Sequence, residues 1–308
     1  MELNTLSITE PPRAAATMVV VRDGREGLEV LLIQRHGRSD VLGGAHVFPG
    51  GKVDDADAAP DVLTLLDQSP ETLHGRLNEP ELSSRAAAAI FVAAAREAFE
   101  ESGILLAQGA SAEQSLRARE LHRSGQGFAS VLAATGLVLA ASRLLPWSRW
   151  ITPKMPSVMN KRFDTRFFVA AMPAQQTAQH DDHEATASLW VTPRTALYSY
   201  WARDIELAPP QIMSLVHLMR HETVHGVLAA AAAQPPPLIE PEPFDQEGTR
   251  VICYPGDPRH SVAARALPGP TRLIYRNRRF ETERGFEGFW EQAGEAAPNP
   301  LSTSSSPD

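Results

Sequence analysis

The sequence predicts an α/β protein in which strands and helices alternate along the chain. Apolar, Val-rich runs such as residues 16–21 and 28–34 have the length and composition of strands. Longer segments of strong helix formers also occur, most clearly at residues 84–102. The chain has 308 residues, of which 43% are hydrophobic and 21% are charged, and this composition is typical of a globular protein with a substantial core.

The N-terminal part of the chain predicts a strand, a turn and a second strand. Residues 1–13 form a loose leader, and the glycine-containing turn at 23–27 joins the first two strands. A polar segment then leads to a short apolar run and a Pro-Gly-Gly turn at 46–51. Residues 55–82 are acidic and interrupted by prolines, so we interpret them as an insertion with a short helical pattern at 62–66.

The helix that follows the insertion has sequence signals at both ends. Ser83 or Ser84 can cap the first turn, because a serine oxygen accepts a hydrogen bond from a free backbone N–H there. Gly103 stands where a left-handed cap usually ends a helix. We therefore predict a helix from Ser83 or Ser84 to Ser102.

The remaining elements follow from the same periodicity and capping signals. We predict strands at 104–106, 137–140, 145–152, 166–172 and 186–191, and helices at 112–122, 128–134, 194–201 and 210–221. The sequence becomes Pro-rich from Gln234, with two short strands near 250–254 and 271–275. We expect a main domain at 14–230 that includes the insertion, a C-terminal extension at 231–295 that packs on it, and a disordered tail at 296–308.

Charge and cysteine content restrict the partners. The formal net charge is -8, so we expect no nucleic acid and no anionic membrane as partner, since both reward clustered Lys and Arg. We expect a small nucleotide-type molecule, whose phosphates would need a local cationic pocket or a metal. The single cysteine, Cys253, is expected to be a buried hydrophobe, and the N-terminus has no secretory signal. We expect a cytoplasmic protein; a homodimer is left open.

Three glutamates on the predicted helix indicate chemistry. Glu97, Glu100 and Glu101 share one face, where like charges repel each other unless something compensates them. A hard divalent cation, Mg²⁺ or Mn²⁺, would do so, because these ions prefer oxygen ligands. The alternative is an ordinary solvated glutamate face, with Arg96 pairing with Glu100.

The wider motif resembles the Nudix hydrolases. Their box reads Gly, five residues, Glu, seven residues, then Arg-Glu-apolar-x-Glu-Glu-x-Gly-apolar, and residues 96–104 match its second half completely. The Phe-Pro-Gly-Gly at 48–51 matches the start, but the insertion separates the two halves. Counted back from Arg96, the place of the first box glutamate is Ala88, so we expect that carboxylate to be missing. The split box and the motifs at 150–153 and 162–168 are similar to the peroxisomal coenzyme A diphosphatase branch.

The resemblance implies a fold, a metal site and a reaction. The fold would be a Nudix α/β/α sandwich with a mixed sheet, a helical insertion and a C-terminal extension. The implied metal ligands for Mg²⁺ or Mn²⁺ are Glu97, Glu100, Glu101 and the backbone carbonyl of Gly50, and the implied role of Arg96 is to orient a carboxylate. The implied activity is hydrolysis of a phosphoanhydride bond, with coenzyme A or acyl-coenzyme A as the first choice of substrate.

Further residues are candidates for the reaction or for substrate. The resemblance implies a late carboxylate as ligand or general base, and Glu184, near His180 and His183, is our choice; an exposed acidic hairpin is the alternative. Cations that could bind phosphates or form surface salt bridges are Arg35, Lys52, Lys161, Arg162 and Arg166, of which we select the first two as substrate-binding residues. Trp147 and Trp150 could stack on a purine or belong to the core.

The sequence is also compatible with two other functions. An ADP-ribose or dinucleotide pyrophosphatase would use the same metals and the same helix. A non-catalytic Nudix-type ligand sensor would explain the alanine at position 88.

Overall fold

The computed structural model describes residues 3–4, 6–37, 42–158, 160–178 and 185–290. A mixed eight-stranded sheet forms the centre, which confirms the predicted fold class. Its strands are β1 (Arg13–Gly24), β2 (Gly27–Arg35), β3 (His46–Val47), β4 (Gly50–Lys52), β5 (Leu145–Ile151), β6 (Phe163–Ala171), β7 (Ala185–Val191) and β8 (Leu238–Ile239). Their order is β3-β2-β1-β6-β5-β8, with β4 also paired to β1 and β7 to β2.

Helices cover both faces of this sheet. They are α1 (Pro60–Leu63), α2 (Pro70–Leu77), α3 (Ser84–Ser102), α4 (Ala112–Arg123), α5 (Phe128–Thr135), α6 (Pro193–Ala202), α7 (Pro209–Leu218) and α8 (Val224–Ala233). Short 3₁₀ helices occupy Asp55–Ala58, Ala141–Arg143 and Gly285–Trp290. No helix in the described part of the chain is long and apolar enough to cross a bilayer.

Strand β1 shows how the two faces are built. Side chains alternate between faces along a strand, so Met18 and Val20 join the core around α3, whereas Val19 and Val21 join the core around α6 and α7. The parallel pairing of β1 with β6 runs from Arg13↔Phe163 to Val21↔Ala171 and fixes the middle of the sheet. The sheet therefore lies between two helical layers.

Helix α3 begins and ends where its sequence predicts. The Ser83 hydroxyl oxygen accepts a hydrogen bond from the Ala86 N–H at 3.2 Å. Gly103 has a φ of 67°, a left-handed conformation that costs glycine little, and its N–H donates to the Phe99 carbonyl at 2.8 Å. These two caps place the glutamates on the last turns of the helix.

The insertion packs firmly against the domain. Leu73 and Leu77 of α2 are buried in the core around α3. Just beyond α2, the carboxylate of Glu79 is buried against the guanidinium of Arg166 on β6, and Arg149 also contacts Glu79 at 2.8 Å. Helix α2 was not predicted, because only two of its residues are buried and an acidic, Pro-containing stretch gives a weak helical period.

Two predicted strands are wrong. Residues 104–106 and 137–140 form no ladder; Leu139 makes only isolated bridges to Leu66 and Ala107. Their side chains are buried all the same, so the apolar runs reflect burial and not strand pairing. Helix α8 and the short strand β8 were not predicted.

The chain after the Pro-rich segment forms a second sheet. Strands β9 (Glu242–Gln246), β10 (Thr249–Cys253), β11 (Arg272–Arg276) and β12 (Arg279–Glu281) pair in the order β12-β11-β10-β9. Ile252, Leu273 and Phe280 lie in the same hydrophobic cluster as Val19 of the central sheet. This sheet thus completes one of the two cores. The predicted tail at 296–308 lies outside the described residues.

Candidate active site

A cleft of about 520 Å³ opens between the end of α3, strand β4 and the first residues of β1 and β6. The three glutamates of α3 line it together with the Gly-Gly turn, and so do five cationic side chains, Arg13, Arg35, Lys52, Arg96 and Lys161. The three glutamates and three of the five cations named from the sequence, Arg35, Lys52 and Lys161, thus lie in one cleft.

The Gly-Gly turn lies closer to its neighbours than a side chain would allow. A Cβ atom on Gly50 would lie 2.6 Å from the backbone oxygen of Ala16, and one on Gly51 would collide with the carboxylate of Glu97. Strand β4 can therefore lie this close to β1 only with glycine at position 50, and a side chain at position 51 would displace the carboxylate of Glu97.

Glu101 is the most buried of the three glutamates, with 2% of its surface exposed. The backbone N–H of Gly50 donates to Glu101 Oε2 at 2.7 Å, and Arg35 Nη1 lies 3.5 Å from Glu101 Oε1. Charge-assisted bonds of this kind hold a carboxylate in one orientation. The turn and the helix are therefore joined at Glu101.

Arg96 links the other two glutamates to Lys52 and Asp57. Its Nη1 donates to Glu97 Oε1 at 2.8 Å and to Glu100 Oε2 at 2.9 Å, and its Nη2 donates to the Lys52 carbonyl at 2.9 Å. Nε donates to Asp57 Oδ1 at 2.8 Å, and Nη2 also donates to Asp57 Oδ2 at 3.0 Å. The planar fork of arginine can serve several carboxylates at fixed angles.

Asp57 supplies the carboxylate that the sequence count left missing. It is 2% exposed and also accepts a hydrogen bond from the Asp54 N–H at 2.8 Å. Five residues separate Gly51 from Asp57. The Nudix box has the same spacing between its glycine and its first glutamate. Ala88, the position reached by counting back from Arg96, is 0% exposed inside α3. The insertion thus follows the first box carboxylate.

The Arg96 guanidinium is strongly held in its charged form. Burial acts to lower the pKa of Arg96, but the hydrogen bond to Asp57 and the charges of Glu97, Asp57 and Glu100 outweigh it, so the pKa is raised. Arg96 is therefore a permanent cation whose hydrogen bonds fix the carboxylates around it.

The inner cleft carries an excess of negative charge. Four carboxylates, those of Asp57, Glu97, Glu100 and Glu101, surround the two guanidinium groups of Arg35 and Arg96, and Asp54 lies further out. Hard oxygen donors with uncompensated charge fit a divalent cation such as Mg²⁺ or Mn²⁺. Within the described ranges, no three potential ligand side chains converge as a preassembled metal centre; the carboxylate oxygens are held by N–H donors instead.

Comparison with known proteins identifies the family of this fold and motif. The family model of the NUDT19 Nudix domain matches residues 9–218. This chain belongs to the Nudix family. A solved NUDIX hydrolase structure from Alicyclobacillus acidocaldarius is similar, with a TM-score of 0.57, 26% identity and coverage of 74% of this chain and 98% of that chain.

Two curated relatives of the Nudix chain carry the same name. Acyl-coenzyme A diphosphatase NUDT19 of Gallus gallus is 30% identical over 239 residues, which cover 65% of this chain and 63% of the relative. The protein of that name from Xenopus laevis is 28% identical over 231 residues, which cover 62% of this chain and 59% of the relative. The Nudix chain therefore spans less than two thirds of the length of these relatives.

The other candidate residues of this Nudix chain separate into two groups. Arg35, Lys52 and Lys161 line the cleft, and Arg13 and Gln211, which were not selected from the sequence, line it too. Gln211 lies in the first turn of α7, and its position could not be inferred from periodicity, because it depends on how α7 docks against the sheet.

The second group lies away from the cleft or outside the described residues. Arg166 is buried against Glu79, and Arg162 donates to the carbonyl of Thr152 at 2.9 Å, so neither is a substrate cation here. Both tryptophans, Trp147 and Trp150, are core residues. The candidates at positions 180, 183 and 184, including Glu184, lie outside the described residues.

Proposed function

We propose that this protein hydrolyses a phosphoanhydride bond of coenzyme A or an acyl-coenzyme A with Mg²⁺ or Mn²⁺ as cofactor. The observation that carries the proposal is the carboxylate face of α3 opposite the Gly-Gly turn, in a cleft that also contains cations. The relatives named acyl-coenzyme A diphosphatase favour this substrate class over other nucleotides.

The proposed metal ligands are Glu97, Glu100, Glu101 and the backbone carbonyl of Gly50. A divalent cation bound there would lower the pKa of a water ligand and neutralise phosphate oxygens. Arg96 would keep Glu97 and Glu100 oriented through its two bonds from Nη1. Such supporting contacts commonly determine metal affinity as strongly as the ligands do.

The chain supplies separate groups for phosphate binding and for proton transfer. Arg35 and Lys52 are the proposed phosphate-binding residues, and the Nε of Arg35 has no hydrogen-bond partner within the described part of the chain. A donor without a partner in a cleft favours an anionic ligand. Glu184 is the proposed general base or further ligand, on the basis of the sequence alone.

The two alternative functions differ in what supports them. An ADP-ribose or dinucleotide pyrophosphatase would use the same carboxylates, so the inner cleft does not separate it from the first choice. The sensor hypothesis depended on a missing carboxylate, and the contact of Asp57 with Arg96 weakens that reason.

A turnover comparison tests the proposal. Purified protein with Mn²⁺ should hydrolyse coenzyme A with a higher kcat/KM than ADP-ribose or NADH, measured by chromatographic separation of products. A higher kcat/KM for ADP-ribose or NADH contradicts the substrate. The absence of turnover of all three, in protein whose thermal unfolding is cooperative, supports the sensor instead.

A further inference from the structure

The cleft is divided by charge along the strands that form its floor. At the inner end, Gly50 of β4 pairs with Thr17 of β1 beside the glutamates of α3. Two residues further out, Lys52 pairs with the next β1 residue on the same face, Ala15. Two residues beyond that, Arg13 pairs with Phe163 of β6.

The register sets the distances between these rows. A strand rises about 3.3 Å per residue, so Lys52 lies roughly 7 Å and Arg13 roughly 13 Å from the Gly50–Thr17 row along the sheet. Side chains two residues apart point to the same face, and Arg13, Lys52 and Thr17 all line the cleft. The outer end of the cleft is therefore cationic, and the inner end is anionic.

Two of the outer cations, Arg13 and Lys52, are not used by the described part of the protein itself. Among the described residues, neither the Arg13 side chain nor the Lys52 side chain has a hydrogen bond or an ion pair. Asp54, the acidic residue that lines this part of the cleft, has Oδ2 3.6 Å from Arg96 Nη2. In a protein of net charge -8, a basic rim without protein partners at the mouth of this cleft fits a ligand with an additional anionic group.

We propose that Arg13, supported by Lys52, binds a phosphomonoester on the ribose of the substrate and so selects 3′-phosphorylated nucleotides. The inference rests on the proposed function, because the diphosphate has to occupy the inner end. A ribose phosphate would then lie outward, over the Lys52 row, where the long side chain of Arg13 can reach back to it. A monoester carries nearly two negative charges at neutral pH, and arginine can bind it through two parallel hydrogen bonds.

The test compares coenzyme A with 3′-dephospho-coenzyme A at saturating Mn²⁺. The wild-type protein should prefer coenzyme A in kcat/KM. Arg13→Ala should reduce that preference by roughly tenfold to a hundredfold, the value of one charged hydrogen-bonding pair. The loss should lie in KM for coenzyme A, because the ribose phosphate is bound equally in the ground state and the transition state. Arg13→Lys should keep part of the preference, since it retains the charge.

A matched control and a binding measurement make the outcomes distinct. Arg117→Ala removes an exposed arginine of α4 far from the cleft and should leave the preference unchanged. Equal turnover of both substrates by the wild-type protein, or an equal loss for both in Arg13→Ala, overturns the inference but leaves the proposed function intact.

Calorimetric titration with adenosine 3′,5′-bisphosphate and with AMP separates the two proposals further. The wild-type protein should bind the bisphosphate more tightly than AMP, and Arg13→Ala should remove the difference even if no substrate is hydrolysed. Equal binding of the two ligands by the wild-type protein contradicts the role of Arg13 without any assumption about catalysis.

Discussion

At the level of single residues, the site depends on contacts between residues distant in sequence. The glutamates and Arg96 could be selected from the sequence because they share one helix and one motif. Asp57 was missed because the count began at Arg96, whereas a count from Gly51 reaches it directly. The bond between Arg35 and Glu101 joins residues 66 positions apart, and no local pattern reports such a contact.

Replacement of Asp57 tests whether its contact with Arg96 supports metal binding. Asp57→Asn should lower kcat and the apparent Mn²⁺ affinity by roughly tenfold to a hundredfold, because Arg96 would lose the bidentate partner that fixes its fork. Glu at this position should recover most of both values, since the carboxylate is retained. Manganese titrations of activity, with thermal unfolding as a check on folding, provide the measurement.

Ala88 provides the matched comparison. A glutamate introduced there should not restore the Asp57→Asn variant, because the position is 0% exposed within α3 and its carboxylate would be buried in the core. Two results would show that Asp57 does not hold Arg96 for metal binding. One is that Ala88→Glu restores the activity of the Asp57→Asn variant, and the other is that Asp57→Asn alone has the Mn²⁺ dependence of the wild-type protein.

At the level of elements, the sequence predicted those with a clear period and clear caps. Strands β1 and β2 and helix α3 belong to this group. The two failed strands were apolar segments without ladder partners, because side-chain burial produces the same pattern as a short buried strand. Helix α8 is alanine-rich and β8 is two residues long, so neither gives a usable period.

Helix α7 carries a pH-dependent contribution to stability. His217 stacks on Trp147 of β5 with ring centroids 4.2 Å apart. Burial, together with the smaller effect of the nearby charges of His221 and Arg220, lowers the pKa of His217 to about 4. Below the ordinary pKa of 6.5, the unfolded chain takes up the proton first, so stability is lost as the pH falls from about 6.5 towards 4.

We expect the free energy of unfolding to depend more steeply on pH in the wild-type protein than in His217→Gln. Between pH 7.5 and pH 5, the wild-type protein should lose about 2 kcal/mol more of its free energy of unfolding than His217→Gln, which cannot take up that proton. Urea unfolding of both proteins at both pH values provides the measurement. If the free energy of unfolding changes equally with pH in both proteins, the pKa of His217 is not lowered in the folded state.

At the level of the whole molecule, the distribution of charge explains how an acidic protein could bind phosphates. The net charge of -8 does not reach the cleft as a uniform field, because Arg13 and Lys52 lie at its outer end, whereas Arg35 and Arg96 partly neutralise the carboxylates at its inner end. The additions to the basic fold support this arrangement. The insertion adds Leu73 and Leu77 to the core around α3, and the C-terminal sheet completes the core behind β1 and β5.

We propose that the glutamates at the inner end of the cleft support metal-dependent hydrolysis of the coenzyme A diphosphate. Glu101 tests it best, because it bonds to the Gly50 N–H and is almost fully buried. In Glu101→Gln the amide oxygen can still accept that bond, so the fold should persist while the charge is lost. Glu113→Gln, on the exposed face of α4, is the control.

The measurement is mass-spectrometric analysis of coenzyme A incubated with increasing Mn²⁺ and each of the three proteins. The wild-type protein and Glu113→Gln should release a phosphopantetheine and an adenosine bisphosphate in a Mn²⁺-dependent manner, and Glu101→Gln should be at least about a hundredfold slower. Equal release by a folded Glu101→Gln, or no release by the wild-type protein at any Mn²⁺ concentration, would contradict the claim.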